Sequence, residues 1–367
     1  MTTGLHVSDL ETPALVIDLD ILERNLARLA GYGREHHLRL RPHTTTHKIP
    51  ALARKQLDLG AAGLTVAKVG DAEVMLDANP PDLLVAFPVI GPSKLHRLME
   101  VARHTQVTVA LDGLCAARQL SDAAQTAQVE IGVLAEADVG LGRVGVAPGA
   151  DLVDLARGIE RLPGLRFEGI AFYPGHIKVL DEDALKALDR LSETVESMLD
   201  HLRRAGLTAS IVSGGSTPTL FHSHRIRGLN EVRPGTYIFN DRNTVQCGAA
   251  TMEDCAASIV ATVVSTAHSG QIIIDGGSKT FSSDRPATGE VSFGHVLDAP
   301  QAVFGKMNEE HGFIDVHRAD RAFSVGDRVR ILPNHICVAM NLHEQVYGVR
   351  SDRVECTWRV AARGKLQ

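Results

Sequence analysis

The sequence predicts an α/β fold: a (β/α)8 TIM barrel followed by a smaller all-β domain. Three observations predict it. Between residues 38 and 241, eight short β-rich runs alternate with helical segments. Polar and reactive residues cluster just after those runs. Beyond about residue 246 helical periodicity is lost, and β-like runs separated by turn signals take over.

In order, the runs are 38–44, 63–68, 83–90, 107–113, 129–138, 167–177, 209–216 and 231–241. The clearest intervening helix is 181–205. There Leu185, Leu188, Leu191, Val195, Met198, Leu199 and Leu202 fall on one face, and Gly206 follows as a C′ residue. The same alternation also suits a doubly wound open sheet, which pattern alone leaves open. After residue 246 come "ASIVATVV", "GQIIIDGG", "DRVRILPNHICVAM" and "VECTWRV". The expected division is a barrel over 13–245 and a β domain over 246–367 that residues 1–12 join.

Composition removes several classes of function. At 44% hydrophobic and 22% charged residues, the chain is an ordinary globular one. A net charge of −6, one Trp and four Tyr offer no basic or stacking face for nucleic acid. Apolar stretches such as 83–90 are too short to span a bilayer, so no membrane partner is expected. The opening "MTTGLHVSDL" lacks the basic and apolar regions of a secretory leader. The five cysteines form no CxxC pair and suit a reducing compartment. A cytoplasmic protein is expected.

In a barrel, chemistry sits where strands end and βα-loops begin. Lys48, His43 and His47 follow the first run, and Arg143 follows the fifth. Tyr173 and His176 end the sixth, "SGGSTP" (213–218) ends the seventh, and Tyr237, Asn240 and Asp241 finish the eighth. Residues far apart in sequence therefore converge on one mouth.

Two glycine motifs need separating. Gly140-Leu141-Gly142-Arg143-Val144-Gly145 is a literal GxGxxG, but Pro148-Gly149 interrupts where a dinucleotide-binding helix should start. The run Gly214-Gly215-Ser216-Thr217 offers backbone N–H groups free of Cβ crowding and two hydroxyls, with Pro218 favouring a helix start. Its place after strand seven is where barrels hold a phosphate; a plain tight turn is the alternative. A lysine at the same mouth can bond covalently to a carbonyl cofactor, and pyridoxal 5'-phosphate has both an aldehyde and a phosphate. His43 and His47 are close enough in sequence to tune or relay the lysine's proton, although local hydrogen bonding would explain either one alone; His176, at the end of the sixth run, is a further catalytic candidate. His335-Ile336-Cys337 has i, i+2 spacing in a strand-like run, which puts both side chains on one face. The pair suits an open catalytic metal site or a buried-strand coincidence.

On "RPHTTTHK", "VGLGRVGV", "FYPGHI", "SGGSTPT", "RPGTYIFND", "IDGGSKTFSSD" and "PNHICVAMNLHE", in that order, the chain resembles the D-threonine aldolase and D-serine dehydratase family. These are fold-type III pyridoxal-phosphate enzymes, and the resemblance spans almost the whole length. It implies that Lys48 carries the cofactor and that Gly214, Gly215, Ser216 and Tyr237 hold its phosphate. Arg143 and Tyr173 would lie by the ring. His335 and Cys337 would bind a divalent metal, and two chains would form a homodimer. Relatives commonly have lysine at Thr45, many aldolases have glutamine at Ala171, and the aldolase branch tends to use His-x-Asp for its metal. A thiolate ligand favours Zn²⁺ over Mn²⁺, Mg²⁺ or Co²⁺. The expected activity is a lyase acting on D-3-hydroxy amino acids. The His–Cys pair tips it towards dehydration, with aldol cleavage the alternative. A racemase and a non-enzymatic cofactor-binding protein are the rivals.

Overall fold

The computed structural model describes residues 3–286 and 289–367. It divides into two compact units. One comprises the residues up to Ala27, Thr46–Ile49 and Thr236–Arg363; the other comprises Arg28–Thr45, Pro50–Gly235 and Gly364–Gln367. The chain opens with β1 (Ala14–Asp18) and α1 (Leu19–Glu35).

The second unit is the barrel. Its strands are β2 (Arg39–Leu40), β3 (Leu64–Val66), β4 (Asp82–Val85), β5 (Gln106–Leu111), β6 (Ile131–Ala137), β7 (Leu165–Phe172), β8 (Ile211–Gly214) and β9 (Glu231–Val232). All pair in parallel, in the order β2-β9-β8-β7-β6-β5-β4-β3. A parallel bridge from His43 to Thr65, with Thr65 N–H donating to the Pro42 carbonyl at 2.8 Å, closes the ring. The open-sheet alternative is thereby excluded. Helices α2 (Pro50–Asp58), α3 (Val69–Met75), α4 (Pro92–Ala102), α5 (Leu114–Ala127), α6 (Ala150–Glu160) and α7 (Glu182–Arg204) separate successive strands. Asp181 caps α7 through the Ala184 N–H, and Gly206 follows at φ +78°, as the sequence leads one to expect. After β8 the helix is instead a short 3-10 turn, Leu220–Arg225. Leu84, Ala110, Leu134, Ala171 and Ile211 fill a layer of the interior.

Charge is also buried in this unit. Arg41, fully enclosed, lies with its Nε 3.0 Å from Glu231 and its Nη1 3.0 Å from one oxygen of Asp82, and its Nη2 donates to the other Asp82 oxygen at 3.5 Å. Burial drives the Asp82 carboxyl up to about 6, against the pull of Arg41 and with the help of Glu168 and Glu231.

The first unit is β-rich. It contains β1, α8 (Arg242–Gln246), β10 (Ala257–Ser265), β11 (Gln271–Ile274), α9 (Ser278–Phe281), β12 (Gly294–Val296), β13 (Val303–Met307), β14 (Gly312–Asp315), β15 (Arg328–Pro333), α10 (Ile336–Leu342), β16 (Gln345–Arg350) and β17 (Arg353–Arg359). The sheet order is β11-β14-β13-β12-β15-β10-β1-β16-β17, and a further β11–β10 pairing closes its first six strands into an antiparallel barrel. β1 sits between β10 and β16, so Ala14–Asp18 belongs to this sheet and not to a barrel beginning at residue 13. The segments 46–49 and 236–245, also expected in the barrel, count with the β unit too. Among the described residues no helix is long and apolar enough to cross a membrane.

Candidate active site

The barrel mouth collects the loops that follow its strands. After β6 the Asp138 carboxylate accepts the N–H groups of Gly140, Leu141 and Gly142 at 2.9–3.1 Å, and Gly145 N–H donates to Asp112 at 3.0 Å. Those bonds hold the Asp138 carboxyl below its ordinary range, the Gly140 N–H foremost. No helix starts on Gly145; α6 begins only at Ala150. The GxGxxG is therefore a loop wrapped round a carboxylate and not a dinucleotide turn. It presents the Arg143 guanidinium 4.8 Å from the centre of the Tyr173 ring. The exposed His176 lies against Gly140, where an added Cβ would come within 3.2 Å of its ring.

After β8 the chain turns sharply at Gly215, φ +97°, a left-handed conformation that suits glycine. The buried hydroxyls of Ser216 and Thr219 lie 3.0 Å apart beside it, and the half-buried Thr217 accepts the Leu220 N–H through its carbonyl at 3.2 Å. Gly214 has a different reason to be glycine: a Cβ there would sit 2.4 Å from the Phe172 ring. Pro218 starts no α-helix. The 3-10 turn begins at Leu220 without a side-chain cap. His43 follows β2, with its Nδ1 2.8 Å from the Thr45 hydroxyl.

The β unit holds the other groups. Lys48 is 6% exposed and stands at φ +56°, unusual for a side-chain-bearing residue and costing about 1–2 kcal/mol. Its Nζ donates to the Ala362 carbonyl at 3.3 Å, and its own carbonyl accepts the Ala362 N–H at 3.1 Å. His47 is fully buried, its Nδ1 accepting the Ile49 N–H at 3.0 Å, which leaves Nε2 as the protonated nitrogen when the ring is neutral. Tyr237 is buried in the 3-10 turn Thr236–Ile238.

His335 and Cys337 are brought together, but not by a strand. β15 stops at Pro333, His335 is the N-cap of α10 in extended conformation, and Cys337 lies in the first turn. The turn is held from a distance. Asp241, itself buried, accepts the Ile336 N–H at 3.0 Å through one oxygen and caps α8 through the other, at 2.9 Å from Thr244 N. The Cys337 Sγ lies 3.2 Å from the Thr46 hydroxyl and 3.7 Å from that of Thr236. His335 Nδ1 lies 2.8 Å from Asp284. The imidazole is pushed up to about 10, chiefly by its hydrogen bond to Cys337; the charges of Cys337 and Asp241 and the bond to Asp284 act the same way, against burial. Among the described residues no group of three or more His, Cys, Asp or Glu is arranged to hold a metal ion. The sequence reading missed Thr46, Thr236 and Asp284 as partners, although "TTTH" and "SSD" stand inside motifs already singled out.

Residues 17–243 match the family model "Alanine racemase, N-terminal domain", and residues 256–349 match "Putative serine dehydratase domain". The chain is 32% identical to 3-hydroxy-D-aspartate aldolase of Paracoccus denitrificans (strain Pd 1222), over 99% of this chain and 94% of that one. It is 34% identical to D-threo-3-hydroxyaspartate dehydratase of Delftia sp. (strain HT23), over 95% and 97%. The crystal structure of D-threonine aldolase from Filomicrobium marinum superposes with a TM-score of 0.94 at 31% identity, covering all of both chains.

Proposed function

The chain belongs to the fold-type III pyridoxal-phosphate enzymes with an alanine-racemase-like barrel, as a lyase of D-3-hydroxy amino acids, and we propose that it is a dehydratase within that group. The observation that carries the site assignment is Lys48: a buried primary amine on a strained left-handed residue, tied to Ala362 through both its amine and its backbone. We assign it the covalent link to the cofactor. The turn Gly214-Gly215-Ser216-Thr217 fits a phosphate, since it combines a left-handed glycine with hydroxyl donors. Tyr237 is assigned to the same phosphate, and Arg143 with Tyr173 to the ring.

When bound, the cofactor supplies an electron sink for charge left on Cα. The chain's own groups do the rest. Lys48, with its amine buried at this position, would take the proton from Cα. His47, with Nδ1 occupied by the Ile49 N–H, is oriented to donate from Nε2, and His43 and His176 are the other proton-handling candidates. His335 and Cys337 would hold a divalent metal, Zn²⁺ before Mn²⁺, Mg²⁺ or Co²⁺, supplying Lewis acidity to the 3-hydroxyl. The imidazole–thiolate donor pair, with a single turn bringing both together, is what favours dehydration. Loss of water and hydrolysis of the product then give a 2-oxo acid and ammonia. A homodimer is the assembly that the resemblance implies.

Incubation with D-serine, D-threonine and D-3-hydroxyaspartate, followed by assays for 2-oxo acid, ammonia, glycine and aldehyde, tests the proposal. Keto acid and ammonia in equal amounts are expected, lost on chelation and in Cys337→Ala. Glycine and aldehyde as the main products would replace dehydration with aldol cleavage. Full turnover in metal-free Cys337→Ala would remove the metal from the reaction.

A further inference from the structure

Lys68 has no task in the reaction as described, yet it stands at the barrel mouth. It is the residue before α3, two positions beyond β3, and its ammonium lies 3.5 Å from the centre of the Phe87 ring, which follows β4. Phe87 is 43% exposed, and among the described residues no carboxylate pairs with Lys68. Holding a lysine over one ring costs rotamer freedom and returns only about 0.5–1 kcal/mol. A cation fixed in this way, with its outer side uncompensated, is a receptor for an anion.

Topology says which anion. In the closed order of eight strands, β4 lies four strands from β8 in either direction, so the Lys68–Phe87 pair faces the Gly214–Thr217 turn from across the mouth. β3 is also hydrogen-bonded to the segment that leads into the Lys48 motif, through Thr65 N–H to Pro42 and the Thr44 hydroxyl to the Thr65 carbonyl at 3.2 Å. With the phosphate turn on one side, the pair across from it is placed to meet the end of the substrate farthest from that turn.

We propose that Lys68, held by Phe87, receives a second, distal carboxylate, and so selects dicarboxylic D-3-hydroxy amino acids over those ending in a methyl or a hydrogen. The selection rests on the lyase reading of the same site. A charge-assisted hydrogen bond of this kind corresponds to roughly a 10- to 100-fold preference.

The test compares kcat/KM for D-3-hydroxyaspartate and D-threonine. Lys68→Met should lower that ratio by roughly 10- to 100-fold, Lys68→Arg should keep most of it, and Phe87→Leu should fall between. A second readout needs no turnover: the holoenzyme is titrated calorimetrically with 2-hydroxysuccinate and 2-hydroxybutyrate, which lack the amine. The wild type should hold the dicarboxylate more tightly, and the advantage should vanish in Lys68→Met and shrink at high salt. An unchanged ratio in Lys68→Met, an equal fall for both substrates, or equal affinity for the two titrants in the wild type would overturn the assignment. If the wild type turned over neither amino acid, the lyase reading would fail, while the titration would still decide on Lys68.

Discussion

Removing the Asp241 carboxylate should loosen two pieces of backbone at once. One oxygen caps α8 through Thr244 N, and the other accepts the Ile336 N–H that starts the turn carrying His335 and Cys337. Loss of an N-cap costs about 0.5–2 kcal/mol. Loss of a hydrogen bond to a charged acceptor, leaving a buried N–H unpaired, costs about 1.5–3 kcal/mol. The carboxylate is itself buried, and burial drives its pKa up against the bonds it accepts, so part of that gain offsets its own desolvation. Asp241→Ala should therefore destabilise the β unit by about 2–4 kcal/mol. Asp241→Asn keeps one acceptor but turns an amide N–H towards that of Ile336, and should lose about half as much. The single tryptophan, Trp358, lies in β17 of this unit, so urea unfolding followed by its fluorescence reports the right transition. Zinc affinity, measured alongside, should fall by tenfold or more, roughly the second-shell range. If Asp241→Ala unfolded within about 0.5 kcal/mol of the wild type, at unchanged m, the turn would not depend on this carboxylate.

Borohydride reduction followed by peptide mapping should place the cofactor on Lys48, and Lys48→Ala should lose roughly a thousandfold or more in turnover; a label on Lys68 or Lys279 would overturn the assignment. The two glycines should separate. Gly214→Ala drives a methyl into the Phe172 ring and should cost about 1–3 kcal/mol or more of stability. Gly215→Ala meets the Ser223 hydroxyl at 3.3 Å, Val232 at an ordinary 3.6 Å and an unfavourable φ, so its loss should appear mainly in the cofactor dissociation constant; equal losses would leave a plain tight turn. For Asp82 the folded pKa, about 6, exceeds the unfolded 3.8, so the fold favours the protonated acid. Its contribution is complete below pH 3.8 and disappears as pH rises through about 6, amounting to roughly 3 kcal/mol at most. Asp82→Asn should flatten the stability profile over that interval, and an unaltered profile would refute the assignment.

The barrel was legible because parallel strands buried on both faces read as apolar runs between turn signals. β2 and β9 are only two residues long, however, within expected runs of 38–44 and 231–241; beyond them His43 makes a single bridge to Thr65 and Tyr237 lies in the 3-10 turn Thr236–Ile238. The His335–Cys337 segment was misread as strand because an apolar run continuing a strand has no local sign of turning helical. That sign is Asp241, far away in sequence. β1 was assigned to the wrong unit for a similar reason: "ALVID" states that it is a strand, but not which sheet will have it. Lys48 was legible as a reactive amine from its neighbours, whereas no local pattern names its left-handed backbone or the Ala362 N–H that its carbonyl accepts.

The position of β1 has a consequence for how the protein is made. Both its edges are filled late: Ile17 pairs with Ala257 and Gly348, and Val16 with Ser258 and Tyr347. At about 5–20 residues per second, a ribosome needs roughly 10–50 s to travel from β1 to β10, and longer to reach β16. The barrel strands, each parallel to the next and joined by local helices, are complete before then. For all that time an apolar strand near the start of the chain has neither neighbour, and it is a template for any other strand edge it meets. A slow stretch of message between β1 and β10 would lengthen the time that Ala14–Asp18 stays unpaired, without altering one residue of the finished enzyme.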